Sequence, residues 1–222
     1  MNQEDGQSPF DVAGHLGVVT RVVESTEHDG QPAKAIVASR VFATDPEDLW
    51  DALTNPERLP RWFLPVTGEL KLGGRYQFEG NAGGTVTECA PPSHVALTWE
   101  FGGSTSWVSV QLAPEGAGTL LTLRHVAHLS SHWEEYGPGA TGVGWEGSFV
   151  GLAGHLQDAE RADLSPEQAH AWMTSSEARG LYRASSDGWA RAAIANGAPE
   201  SEAWAAGKRT SAFYTGDDAA GD

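Results

Sequence analysis

Three histidines, His125, His128 and His132, fall within the stretch RHVAHLSSHW at 124–133. Imidazole is a common metal ligand and the side chain best suited to proton transfer near neutral pH. A metal centre needs three or four ligands converging on one ion. Acid–base chemistry needs one ring in a water-poor pocket beside a second titratable group. Which of these is open depends on where each ring points, and so on the elements that carry the rings.

The segment GTLLTLRHVAH reads as a β-strand, in which successive side chains point to opposite faces. His125 shares parity with Leu121 and Leu123 and is expected to point inward with them. His128 has the opposite parity near the strand end, and His132 lies in the following loop. No carboxylate stands at an evident fourth position, so neither a metal nor a cofactor is expected. His125 then has two readings. One is a core histidine satisfied by a hydrogen bond. The other is a polar anchor in an apolar pocket.

Glu88 is the matching candidate. It shares parity with Val86 in GGTVTECA, and an inward carboxylate there could act with His125 as a general acid–base pair. Its pKa would be raised unless it were paired. The competing reading is an exposed glutamate, the usual fate of that residue. Arg75, Glu100 and Arg124 sit on outward parities. The nucleophile-elbow, phosphate-loop and HExxH patterns do not occur, so no catalytic set is assigned.

The elements that would position these groups follow from local signals. Residues 1–10 are polar and expected to be disordered. LGVVTRVVES (16–25) and AKAIVASRVF (34–43) flank an Asp-Gly turn and read as a β-hairpin. Asp45-Pro46-Glu47 and Asn55-Pro56-Glu57 each place a capping residue, a first-turn proline and an early negative charge in order. They open a helix PEDLWDALT and an irregular second one interrupted by Pro60. GGRYQFEG, GGTVTECA, SHVALTWEF, TSWVSVQLAP and GTLLTLRHVAH then suggest an antiparallel meander.

One face of these strands is bulkier, with Tyr76 and Phe78, then Val95, Leu97, Trp99 and Phe101, then Val108, Val110 and Leu112. That face needs a cover. Residues 139–160, with Trp145, Phe149, Leu152 and Leu156 at helical spacing, supply it. A second stripe on that helix, Gly144, Gly147, Gly151 and Gly154, implies close approach of another element. The expected partner is a tail helix bearing Trp172 or Trp189; alternatively, these glycines face the cavity and leave room for a ligand. Trp107 falls on an outward parity and could touch another subunit. Residues 161–222 read as a helical appendage, with a capping box at Ser165–Gln168.

Bulk properties narrow the function. A net charge of −16 over 222 residues argues against nucleic acid as a partner. The single Cys89 allows no internal disulfide. The N-terminus does not read as a signal peptide and no apolar run approaches ~18 residues, so no membrane segment and a cytoplasmic location are expected.

The ordered motifs Leu49-Trp50, Pro56, Trp62-Phe63, then Gly73-Gly74-Arg75-Tyr76, then Pro91-Pro92 and Thr98-Trp99 resemble the SRPBCC (START-like, helix-grip) superfamily. Within it the pattern is similar to the group named for the C-terminal domain of the activator of heat-shock protein 90 ATPase homologue. The likeness covers about residues 34–159. It implies an α+β helix-grip fold, in which a curved antiparallel sheet wraps a long C-terminal helix around a deep cavity. The domain is expected over 11–160, with 161–222 outside the family core. Members of the superfamily use the cavity for lipids, polyketides, hormones and other apolar molecules. The eukaryotic co-chaperone makes its chaperone contact through a separate N-terminal domain. There is no room for one before residue 34, so chaperone activity is not expected.

These readings together lead with binding of a small apolar ligand, or an interaction domain, without catalysis. The candidate walls are Trp50, Trp62, Tyr76, Phe78, Trp99, Trp145 and Phe149, with Glu88 and His125 as polar groups. Two alternatives stand beside it. One is a cyclase, dehydratase or hydrolase using His125 with Glu88. The other is a homodimer or partner-docking protein acting through the C-terminal helices.

Overall fold

A computed structural model describes Ser8 and residues 10–217. The expected disordered tail at 1–10 lies almost wholly outside the described residues. Asp11 accepts a hydrogen bond from the Gly14 N–H and opens a short helix, α1 (Val12–Val18). The hairpin strand expected from residue 16 therefore begins later, as β1 (Thr20–His28), and pairs with β2 (Gln31–Phe42). The β-branched run at 18–19 is overridden by the Asp11 cap. Asp29 and Gly30, both at positive φ, make the tight turn.

The Asp45 side chain caps α2 (Pro46–Thr54), and a single 3-10 turn follows at Leu59–Arg61. Then come β3 (Val66–Gly68), β4 (Arg75–Phe78), β5 (Gly83–Ala90), β6 (His94–Phe101), β7 (Ser104–Glu115) and β8 (Gly118–His128). All eight strands form one antiparallel sheet in the order β1-β2-β8-β7-β6-β5-β4-β3. The meander and the hairpin are thus joined by β2 pairing with β8, Ile36 opposite His125.

A short helix α3 (Ser131–Tyr136) leads into the long α4 (Gly139–Gln157). This is the helix the sheet grips. Phe149 and Leu152 of α4 share one buried cluster with Ile36, Phe42, Val108, Leu121 and Leu123 of the sheet and Leu49 of α2. Phe101, expected inward, is 59% exposed. It ends β6 beside the Gly102-Gly103 turn, whose glycines have φ of 59° and 80°.

The tail forms α5 (Ala159–Ala162), α6 (Pro166–Met173), α7 (Ser176–Ala195) and α8 (Glu200–Thr215). Ser165 and Gln168 make the reciprocal capping box read from the sequence. Leu181 and Trp189 of α7 are fully buried and belong to the same cluster as the sheet and α4. Trp189 of α7, however, packs not on the predicted stripe but on Gly142. A Cβ there would lie 2.2 Å from the Trp189 ring. Gly147 faces open space, Gly151 faces the Trp62 carbonyl, and Gly144 lies near the Tyr214 hydroxyl of α8. Trp172 instead packs its ring edge-on against Phe10, with centroids 4.6 Å apart.

Candidate functional site

β8 carries His125 to the inner face, where it is 7% exposed. The ring is held at both nitrogens. The Trp145 indole N–H donates to Nδ1 at 2.9 Å. An indole nitrogen can only donate, so Nδ1 accepts and the ring proton sits on Nε2. Nε2–H then donates to Ser106 Oγ at 2.7 Å, and the Ser106 hydroxyl donates to the Trp99 carbonyl at 3.2 Å. Burial depresses the His125 pKa to about 4, so the ring is neutral at pH 7. In this arrangement the imidazole donates to the serine. It has no free lone pair with which to take the serine's proton.

A cavity of about 920 Å³ lies between this end of the sheet, the start of α4, α3 and α8. Its deep wall includes Phe63, Trp99, His125, Trp145 and Tyr214, and the exposed Phe101, Leu129 and Phe213 stand at its mouth. The Tyr214 hydroxyl donates to the Ala140 carbonyl at 2.8 Å, and burial pushes its pKa up to about 12. Behind this cleft lies a second, apolar space of about 90 Å³. Trp62, Phe78, Leu121, Phe149 and Leu152 are among its walls. Phe63, Trp99 and Trp145 border both spaces and form the partition between them. The Phe63 and Trp145 rings are nearly parallel, 17° apart with centroids at 6.2 Å, and Trp99 stands 5.1 Å from Trp145.

Of the predicted residues, the structure brings His125, Trp99 and Trp145 to the larger cleft, and Trp62, Phe78 and Phe149 to the inner space. Three belong elsewhere. Glu88 does not point inward: its side chain is 69% exposed and meets His94 Nε2 at 3.1 Å. The register of β5 against β6 slips between Val86 and Glu88, and this bulge resets the alternation on which the prediction relied. His125 and Glu88 therefore do not form an acid–base pair. Tyr76 is buried, but in a side cluster with Leu59, Phe78 and Val86, and its hydroxyl donates to the Thr98 carbonyl at 2.7 Å. Trp50 packs against the main core and borders neither space.

The other two histidines also line the larger cleft, but their rings do not converge with that of His125. His128 Nε2 bonds the His28 carbonyl at 3.0 Å, beside Trp107, and His132 sits exposed on α3 near Tyr136. Trp107 stacks on His28 with centroids 3.5 Å apart and covers Ala33, Ala35 and Val126. Among the described residues no three His, Cys, Asp or Glu side chains cluster as metal ligands, and no helix is long and apolar enough to cross a membrane.

A second polar constellation escaped the sequence reading. Glu146 of α4 is fully buried. Arg21 of β1 grips it with two bonds of 2.6 Å, and His15 Nε2 meets it at 3.1 Å. Arg40 donates to His15 Nδ1 at 2.9 Å, which fixes the Nε2–H tautomer. Burial lowers the His15 pKa, and the Arg40 and Arg21 charges reinforce this against Glu146. Burial alone would raise the Glu146 pKa. Hydrogen bonds from His15 and Arg21, with the Arg21 charge, outweigh it and hold the carboxyl below its ordinary value. The available signal was a glutamate in the buried row Val143, Glu146, Val150. Ser106 was also legible, since it shares parity with Val108. Nothing in the tail sequence marked Tyr214.

Sequence and structure comparisons agree with this fold. The family described as Activator of Hsp90 ATPase homolog 1-like protein matches residues 43–157. The mouse activator of 90 kDa heat shock protein ATPase homolog 1 is 30% identical over 97 residues, which is 43% of this chain and 26% of that protein. The chain thus spans about a quarter of that relative's length. CalU16 from Micromonospora echinospora is 26% identical. Its solution structure has a TM-score of 0.66 and covers 87% of this chain and 100% of that one. Its crystal structure has a TM-score of 0.60, covering 79% and 98%. A likeness over 87% of the chain extends beyond the family-matched segment into the tail helices. MLL2253 from Mesorhizobium loti shares the fold at 24% identity and a TM-score of 0.50, over 59% of this chain and 99% of that one. With more than half of its length matched, on a sheet that grips α4 as the motifs implied, this chain belongs to the Activator of Hsp90 ATPase homolog 1-like family.

Proposed function

We propose that the protein binds a small, largely apolar molecule in the cleft between β6–β8, α4 and α8, without chemistry by His125. The observation that carries this reading is the 920 Å³ cleft walled by Phe63, Trp99 and Trp145, a size within the usual range for small-molecule sites. The closed relay Trp145–His125–Ser106–Trp99 supports a structural role for the histidine. A base must have a lone pair within reach of the proton it removes.

Native mass spectrometry of protein purified from its own host tests the reading. A co-purified mass that dissociates on denaturation is expected, and substitution of Trp99 by alanine should reduce its occupancy. A bare polypeptide mass, together with tryptophan fluorescence that ignores every apolar probe, would remove the proposal.

Stimulation of an Hsp90-type ATPase, named for the mouse relative, is a second reading. It is supported by the 97-residue likeness alone and ranks below the cleft. An ATPase assay with and without this chain decides it.

A further inference from the structure

The cleft has a chemical character beyond being apolar. Among the described residues that line it there is no Asp, Glu, Lys or Arg, although charged residues make up 20% of the chain. An anionic headgroup entering the cleft would leave water with no Lys or Arg to meet it, and His128 and His132 are the lining side chains besides His125 that could carry a positive charge. The net charge of −16 opposes its approach as well.

The deep donors are also committed. The Trp145 N–H is held by His125, and the His125 N–H by Ser106. The hydroxyls of Ser106, Ser148 and Tyr214 donate to the carbonyls of Trp99, Gly144 and Ala140. Each of these oxygens keeps a lone pair, so the inner wall offers acceptors to a guest. Donors that no bond fixes include the hydroxyls of Ser104, Thr105 and Ser130 and the Asn81 amide at the exposed rim, and the Thr141 hydroxyl on the α4 wall.

We infer that the cleft selects an uncharged, flat guest bearing hydroxyl groups, and discriminates against carboxylate-bearing amphiphiles such as fatty acids. This rests on the ligand-binding reading above and narrows its ligand class. The flat shape follows from the broad faces of Trp99 and Trp145. The hydroxyl requirement follows from an acceptor-rich wall, and the neutrality from the absence of Lys and Arg among the described lining residues.

Three probes sharing one ring system test it: 1-hydroxypyrene, pyrene and 1-pyrenecarboxylate, titrated at pH 7 into the full chain with tryptophan fluorescence and calorimetry as readouts. Hydroxypyrene is expected to bind tighter than pyrene, and the carboxylate weaker than hydroxypyrene by about tenfold or more. Thr141→Lys places a cation on the α4 wall. It should raise carboxylate affinity about tenfold and leave hydroxypyrene nearly unchanged. Thr105→Lys, on an exposed strand position across the cleft, repeats the test should the first variant not fold. A wild-type preference for the carboxylate, or a probe ranking that neither lysine alters, overturns this inference and leaves ligand binding standing. Failure of all three probes to bind removes the ligand-binding reading and this inference with it.

Discussion

The indole N–H of Trp145 is bound to Nδ1 of His125 at 2.9 Å, so a residue of the gripped helix fixes the tautomer of a residue in the sheet. The bond joins α4 to β8 at the wall of the cleft. It explains why one polar ring is tolerated on an otherwise apolar inner face. Both nitrogens are satisfied, and the ring stays neutral.

That neutrality has a pH signature. His125 titrates at about 4 in the folded chain against 6.5 unfolded. Between those values the unfolded chain binds the extra proton, so stability is full above about pH 6.5 and falls as pH drops toward 4. The loss is worth up to about 3 kcal/mol. His15 and His155, also lowered mainly by burial, add to the slope in the same direction. Urea midpoints measured from pH 7 to 4.5 should therefore decline less steeply in His125→Gln than in the parent. Parallel curves would mean that His125 is already charged, or exposed, in the native state.

The Arg21–Glu146 pair should behave as a buried ion pair. Removing one partner strands a charge where water cannot reach it. Arg21→Met alone should cost about 3–5 kcal/mol, because Glu146 is fully buried and keeps only His15. The double variant Arg21→Met with Glu146→Leu should recover most of that loss. A double-mutant cycle by chemical denaturation measures the coupling, and simple additivity would contradict the geometry.

Much of the fold was legible because its signals are local. Asp45-Pro46, the Asp29-Gly30 turn and the Ser165–Gln168 box each act within four residues, and each stands where the sequence placed it. Strand parity placed His125, Trp99 and Phe78 correctly for the same reason. It failed at Glu88, where one slip in register against β6 turned the side chain to solvent. The Glu146 network was illegible from local pattern, since its four members come from α1, β1, β2 and α4. So was Tyr214, which reaches the cleft only because α8 folds back along α4. Trp50 and Tyr76 show the limit of aromatic content as a guide: both are packed, and neither lines the cleft or the inner space.

Two glycines of α4 should respond to alanine in opposite directions. Gly147 has no neighbouring atom within 4 Å of an added Cβ, and its backbone is ordinary helix, so Gly147→Ala should stabilise by up to ~1 kcal/mol. At Gly142 the same methyl would sit 2.2 Å from the Trp189 ring, so the tail helix must move and the gain in helix propensity is overwhelmed. Thermal denaturation of the two variants checks this. Equal shifts would place Trp189 elsewhere.

Phe63 is the part of the partition with the most consequence for binding. It borders both the 920 Å³ cleft and the 90 Å³ inner space, beside Trp145 and against the edge of Phe78. Truncation to alanine removes the ring between them and should join the two volumes. The cost in stability should be no more than ~3 kcal/mol, since the ring is only partly buried and one side of the new void is open to solvent. The joined space would let a flat apolar probe reach Phe149 and Leu152, giving Phe63→Ala higher affinity for pyrene than the parent despite its lower melting temperature. Fluorescence titration and a melting curve on the same samples separate the two effects. Weaker pyrene binding in the variant would show that Phe63 is a contact surface for the guest and not a barrier to it.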